Sequence, residues 1–124
     1  MTCREEKDVL GTIQLEAGAR YGAHTSRALD NFNLAGRPVH KELIHAYGMV
    51  KLACALTNRQ LGYFSSKEKG EALVRACREA ADGLLNNDVR VDSIQGGAGT
   101  SLNMNMNEVI ANRALEIMGR ERGE

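Results

Sequence analysis

The chain has 124 residues and a mass of 13.5 kDa, one domain on the usual scale of ~100–200 residues. Sixteen basic residues balance sixteen acidic ones, and no basic face shows along the chain, which argues against nucleic acid as a partner. An apolar fraction of 43% speaks against disorder. No apolar run approaches the ~18–20 residues a membrane span needs. The polar start, Met1-Thr2-Cys3-Arg4-Glu5-Glu6-Lys7, lacks a signal-peptide core, so the expected compartment is the cytoplasm.

In chain order, residues 9–15 (Val9-Leu10-Gly11-Thr12-Ile13-Gln14-Leu15) are too short and too alternating for a helix and read as a small β-hairpin or extended arm. A short helix follows at about residues 25–32. The first long helix is expected over residues 41–61. Leu43, Tyr47, Val50, Cys54, Thr57 and Leu61 fall at helical spacing and form its apolar stripe, with Pro38 before the start and Gly62 as the stop. Ser65 and Glu68 offer a capping box for a second long helix running to about residue 85, with Leu73, Cys77, Ala80 and Leu84 as its stripe. Asn86-Asn87-Asp88 breaks that helix, and residues 89–94 alternate like a short strand. A third long helix spans about residues 102–118 and ends at Gly119; the polar tail, residues 120–124, reads as frayed. The fold class is therefore mainly α: a small N-terminal β-hairpin followed by three long helices.

Three cysteines, Cys3, Cys54 and Cys77, are odd in number and widely spaced, so neither a disulfide framework nor a CxxC pair is present. Cys54 and Cys77 fall on apolar helical faces and read as buried free thiols. His24, His40 and His45 have no ligand spacing among themselves or with cysteine, so no metal is expected. No Ser-His-Asp order and no nucleophile elbow is present.

The chemistry concentrates in residues 95–112. Gly96, Gly97 and Gly99 let the backbone approach a ligand closely. The loop opens into a helix whose first amides have no internal partner and whose dipole favours an anion, either a carboxylate or a phosphate. Thr100 and Ser101 add hydroxyls at the mouth. No GK[ST] follows, and Leu102 stands where a dinucleotide fingerprint needs its third glycine. A plain capped helix start is the alternative. Beyond it, Asn103 and Asn107 share a helical face with Glu108 beside them, which suggests a polar network whose amides need partners or, alternatively, a solvated face.

Two stretches carry a resemblance. Residues 95–114, Gln-Gly-Gly-Ala-Gly-Thr-Ser-Leu-Asn-Met-Asn-Met-Asn-Glu-Val-Ile-Ala-Asn-Arg-Ala, resemble the GAGTSxNMNxNEVxAN motif of the aspartase/fumarase superfamily. Residues 21–32 (Tyr-Gly-Ala-His-Thr-Ser-Arg-Ala-Leu-Asp-Asn-Phe) resemble its YGxxTxRAxxNF motif. Ile94 stands where the fumarases carry tryptophan, and Ala98 where they carry a substrate-binding serine, so the aspartate ammonia-lyase branch is favoured.

The resemblance implies that residues 1–124 form the N-terminal domain of such a lyase. It also implies reversible elimination of ammonia from L-aspartate to give fumarate, without a cofactor. The substrate-binding residues it implies are Thr100, Ser101 beside it, and Arg27 for the second carboxylate. No catalytic residue is expected in this chain, because the family's serine-base loop and its QSTND and GRTH motifs are absent. The family assembles its active sites from several subunits of a homotetramer; this chain is expected to supply one wall and to be inactive alone. The alternatives are a class II fumarase N-terminal domain and a non-catalytic interaction module.

Overall fold

The computed structural model describes residues 2–124. Strands β1 (Cys3–Asp8) and β2 (Gly11–Glu16) pair antiparallel, with Cys3 opposite Glu16 and Asp8 opposite Gly11. Four helices follow: α1 (Ala23–Asn31), α2 (Lys41–Gln60), α3 (Lys67–Ala81) and α4 (Thr100–Ile117). A 3-10 turn, Asn86–Asp88, lies between α3 and α4. The mainly α fold with an N-terminal hairpin thus stands. The hairpin begins earlier than expected, because its first strand is the charged run Cys3–Asp8. Val9 and Leu10 form the exposed turn. Strand β1 needs no apolar alternation, since Arg4 pins it by donating to Glu6 and to the carbonyls of Ala19 and Tyr21.

Helices α2 and α3 pack antiparallel. A Cβ at Gly48 would collide with the backbone of Ala80 and Ala81, and one at Gly70 would meet Phe64 and Arg59. Glycine at position 48 therefore sets the distance of closest approach between the two backbones. Ile44, Gly48 and Ala55 are the buried positions of α2. The expected stripe is corrected by this: Leu43, Val50, Cys54, Thr57 and Leu61 are exposed and Tyr47 is half-buried. Periodicity shows two apolar stripes on this helix, and the one carrying glycine and alanine is buried because it admits a close partner. In α3, Cys77 and Ala80 are buried as expected, whereas Leu84 lies beyond the helix end and is exposed. Cys3 and Cys54 are exposed and Cys77 is buried, all as free thiols. Burial pushes the Cys77 thiol up to about 11.

Helix α3 starts one residue later than the expected capping box. Ser66, not Ser65, is its N-cap and accepts from the Lys69 amide. It also stops at Ala81, where the Leu84 amide reaches back to the Glu79 carbonyl around Gly83. Residues 89–94 form no named strand; Asp92 makes a single antiparallel bridge with Pro38.

Helix α4 is the centre of the molecule, packed by α1, α2 and α3. Met106 and Val109 are fully buried on it, each contributing about 1.5–3 kcal/mol by removal from water. The tail is docked rather than frayed at residues 122 and 123. Arg122 donates to Glu116 and to the Ala17 carbonyl, and the Gly123 amide donates to Asn112 Oδ1 at 2.8 Å. Among the described residues, no helix is long and apolar enough to cross a membrane.

Candidate functional site at the start of helix α4

Gly99 is the N-cap of α4. Its φ of 83° lies in the left-handed region, which costs a residue with a Cβ energy and glycine little. Thr100 and Ser101 are therefore the first two helical residues, and no side chain of the cap position closes the helix. The Thr100 hydroxyl is accordingly not the cap.

The third amide, that of Leu102, is taken instead by Gln95. Gln95 Oε1 accepts from it at 2.7 Å, and the Gln95 amide donates to the Asp92 carbonyl at 2.8 Å. The fourth, of Asn103, bonds the Gly99 carbonyl. The amides of Thr100 and Ser101 are left without an acceptor among the described residues. Asp92 braces the same loop by accepting from the amides of Ile94, Gly36, Ala35 and Leu34. These bonds, that from Ile94 foremost, hold its carboxyl below the usual carboxylate range.

Ser101 is 6% exposed and lines a cleft of about 570 Å³ between the hairpin, α1 and α4, together with His24, Arg27, Phe32, Met104 and Glu108. Its hydroxyl has no partner. In the lining of this cleft, the buried polar side-chain atom without a partner is Nδ1 of His24. Thr100 is exposed and lies outside that cleft, so the structure brings Ser101 and Arg27 to one cavity and leaves Thr100 at the helix entry beside it. Arg27 is already committed, with Nε and Nη2 each donating to Asp8 at 2.9 Å. This pair holds the Asp8 carboxyl below its ordinary value and raises that of Arg27.

The two motif stretches meet in space at this cleft. Both oxygens of Glu108 accept backbone amides at the start of α1: Gly22 at 3.0 Å, His24 at 2.9 Å and Thr25 at 3.1 Å, with the Thr25 hydroxyl as a further donor. Glu6 Oε2 takes the remaining amide, that of Ala23, at 2.9 Å. All four otherwise unsatisfied donors of α1 are thereby capped from two other elements. A carboxylate at a helix N-terminus is also favoured by the dipole.

The polar network expected at Asn103 and Asn107 lies mainly elsewhere on the helix. Asn105, fully buried, accepts from the Arg90 and Val91 amides and donates to the Asp88 carbonyl. Asn112 donates to the Arg20 carbonyl at 2.7 Å. Asn103 accepts from Lys51 at 2.7 Å, and Asn107 reaches only the Met104 sulfur. Sequence reasoning missed His24, Gln95 and the capping role of Glu108. Gln95 lies seven residues before the amide it caps, and Glu108 caps a helix more than eighty residues away, so no local spacing marks either.

A family model described as Lyase matches residues 11–123, and the chain belongs to that lyase family. Two named activities occur among its relatives. The chain is 51% identical over 120 residues to an aspartate ammonia-lyase of Bacillus sp, covering 97% of the chain and 25% of the relative. It is 45% identical over 121 residues to a class II fumarate hydratase of Halobacterium salinarum, covering 98% of the chain and 26% of the relative. The solved fumarate lyase:delta crystallin of Brucella melitensis in native form superposes with a TM-score of 0.94 at 46% identity, over 98% of this chain and 29% of that one. The chain thus spans about a quarter of the length of the relatives it matches.

Proposed function

We propose that residues 1–124 are the N-terminal domain of an aspartate ammonia-lyase and supply one wall of its substrate site. The observation that carries this reading is the opened start of α4. The amides of Thr100 and Ser101, which have no acceptor among the described residues, the Ser101 hydroxyl, which makes no hydrogen bond to them, and the glycine loop form a donor-rich corner beside a cleft. Such a corner suits a substrate carboxylate and the charge that develops on it when the adjacent carbon loses a proton. The named relatives support a lyase acting on aspartate or fumarate, and Ile94 and Ala98 favour ammonia over water as the group eliminated. Thr100 and Ser101 are the proposed substrate contacts. Arg27, paired with Asp8, shapes the cleft and is a positioning residue in this reading. The base, the remaining contacts and a homotetrameric assembly belong to parts of the enzyme outside this chain. The complete protein acts in the cytoplasm and needs no cofactor.

Two chimeras test the proposal. The chain replaces the matching first quarter of the Bacillus aspartate ammonia-lyase in one, and of the Halobacterium fumarate hydratase in the other. Fumarate formation from L-aspartate is expected in the first, followed by ultraviolet absorbance. Thr100→Ala should then lower kcat/KM by on the order of 10²–10³ if the hydroxyl acts on the charged intermediate. Activity only in the fumarate hydratase chimera would favour that branch. Two well-folded, inactive chimeras would favour an interaction module. The isolated chain is expected to produce no fumarate.

A further inference from the structure

The second cavity of interest lies on the other side of Phe32, away from Ser101. It is a cleft of about 360 Å³ lined by Phe32, Asn33, Arg37, Asn86, Arg90 and Asp92, among others, at the small end of the range for ligand pockets.

Its charge balance is unusual for this chain. Seven of the eleven arginines pair with carboxylates: Arg4, Arg20, Arg27, Arg75, Arg113, Arg120 and Arg122. Of the four that pair with none among the described residues, Arg59 and Arg78 sit on outward faces of α2 and α3. The other two, Arg37 and Arg90, both line this cleft. Their backbones are fixed at the root. The Arg37 carbonyl accepts from the Ser93 amide at 2.9 Å, and the Arg90 amide donates to Asn105 at 2.8 Å.

The one acidic lining residue, Asp92, has both oxygens occupied by backbone amides, and the neighbouring Asp88 is paired with Arg20. No free carboxylate in the lining therefore answers the two guanidinium groups. At the edge of the cleft, Asn86 Nδ2 donates to His45 Nε2 at 3.0 Å, which leaves its Oδ1 buried without a donor.

We propose that this cleft binds a small dianionic oxyanion, either a dicarboxylate or a phosphate group, held between the guanidinium groups of Arg37 and Arg90. Guanidinium forks match the planar or tetrahedral oxygens of both ligands, and the side-chain amides of Asn33 and Asn87 supply further donors from the walls. The site is separate from the Ser101 cleft and does not rest on the proposed reaction.

The test uses the 15N-labelled chain, titrated with inorganic phosphate and separately with succinate at constant ionic strength, with sodium chloride as control. Saturable shifts are expected at the Gly36, Arg37 and Arg90 amides and the Asn86 side chain with at least one of the two anions. The anion that saturates assigns the ligand as phosphate or dicarboxylate. Arg37→Ala and Arg90→Ala should each weaken binding about tenfold or more, as expected for loss of a charge-assisted contact, while Arg78→Ala leaves it unchanged. Both cleft arginines are exposed, and an unaltered spectrum elsewhere reports that the variants are folded. Should Arg90→Ala disturb the fold, Arg37→Ala and the charge-retaining Arg90→Lys decide. Shifts that fail to saturate with either anion, or that persist undiminished in Arg37→Ala, overturn the proposal.

Discussion

Along helix α4, Asn105 and Asn112 spend their side chains on backbone groups of three separate segments, while Thr100 and Ser101, at the helix start, have hydroxyls and amides with no partner among the described residues. Both sets belong to one continuous motif and both contain small polar residues, yet only the first is satisfied. Buried polar groups without partners are costly. Those that close on the protein itself hold the fold, whereas the donors at the helix start stay open beside the cleft. Glu108 belongs to the first set, although it lines the cleft: its oxygens are consumed in capping α1. Proximity to the cleft alone would have placed it with the wrong group.

The sharpest way to break this comparison is Glu108→Ala. It strands three backbone amides and the Thr25 hydroxyl, and should cost about 3 kcal/mol or more, read as a lowered denaturant midpoint with early hydrogen exchange in α1. Loss of cleft function with full stability would move Glu108 into the open set. Asn105→Ala comes next. Two amides and a carbonyl lose their partner, for an expected cost of about 2–3 kcal/mol.

A third test is electrostatic. Burial pushes the Glu116 carboxyl up, but Arg20, Arg113 and Arg122 outweigh it and hold the group down at about 2. Because the folded value lies below that of the unfolded chain, Glu116 stabilises the fold fully above pH about 4.5, and the contribution is lost as pH falls toward 2. After discounting for screening by water it is worth about 1 kcal/mol. The fall in melting temperature between pH 5 and 2 should flatten in Glu116→Gln. The smallest effect is expected for Ser101→Ala, within about 0.5 kcal/mol of the parent, since the hydroxyl satisfies nothing in the chain. A loss above 1 kcal/mol on thermal melting would show an internal role for Ser101 and erase the contrast with Asn105.

Much of the architecture was legible from residue order. Helix-compatible spacing, a lone proline and the glycine at 62 located α2, and the glycines at 96–99 located the entry of α4. The errors share one cause. For α2, the stripe of larger side chains was read as the buried one, and nothing local says that Gly48 lets another backbone approach closely while Val50 stays outside. The tail at residues 122–123 looked frayed because its composition is polar, but the acceptors that dock it, Glu116 and Asn112, lie on α4. The polar network expected at Asn103 and Asn107 is centred on Asn105 for the same reason: its partners, Arg90, Val91 and Asp88, come from a segment outside the helix.

By itself, the sequence determined the helices, the hairpin, the family resemblance and the anion-favouring helix start, because backbone propensity, periodicity and glycine placement act over a few residues. Only the tertiary structure decided which polar groups are used up and which remain free. Hydrogen-bond satisfaction depends on partners brought together from distant segments, as Glu108 is to Gly22, and on the burial that makes an unmet bond costly.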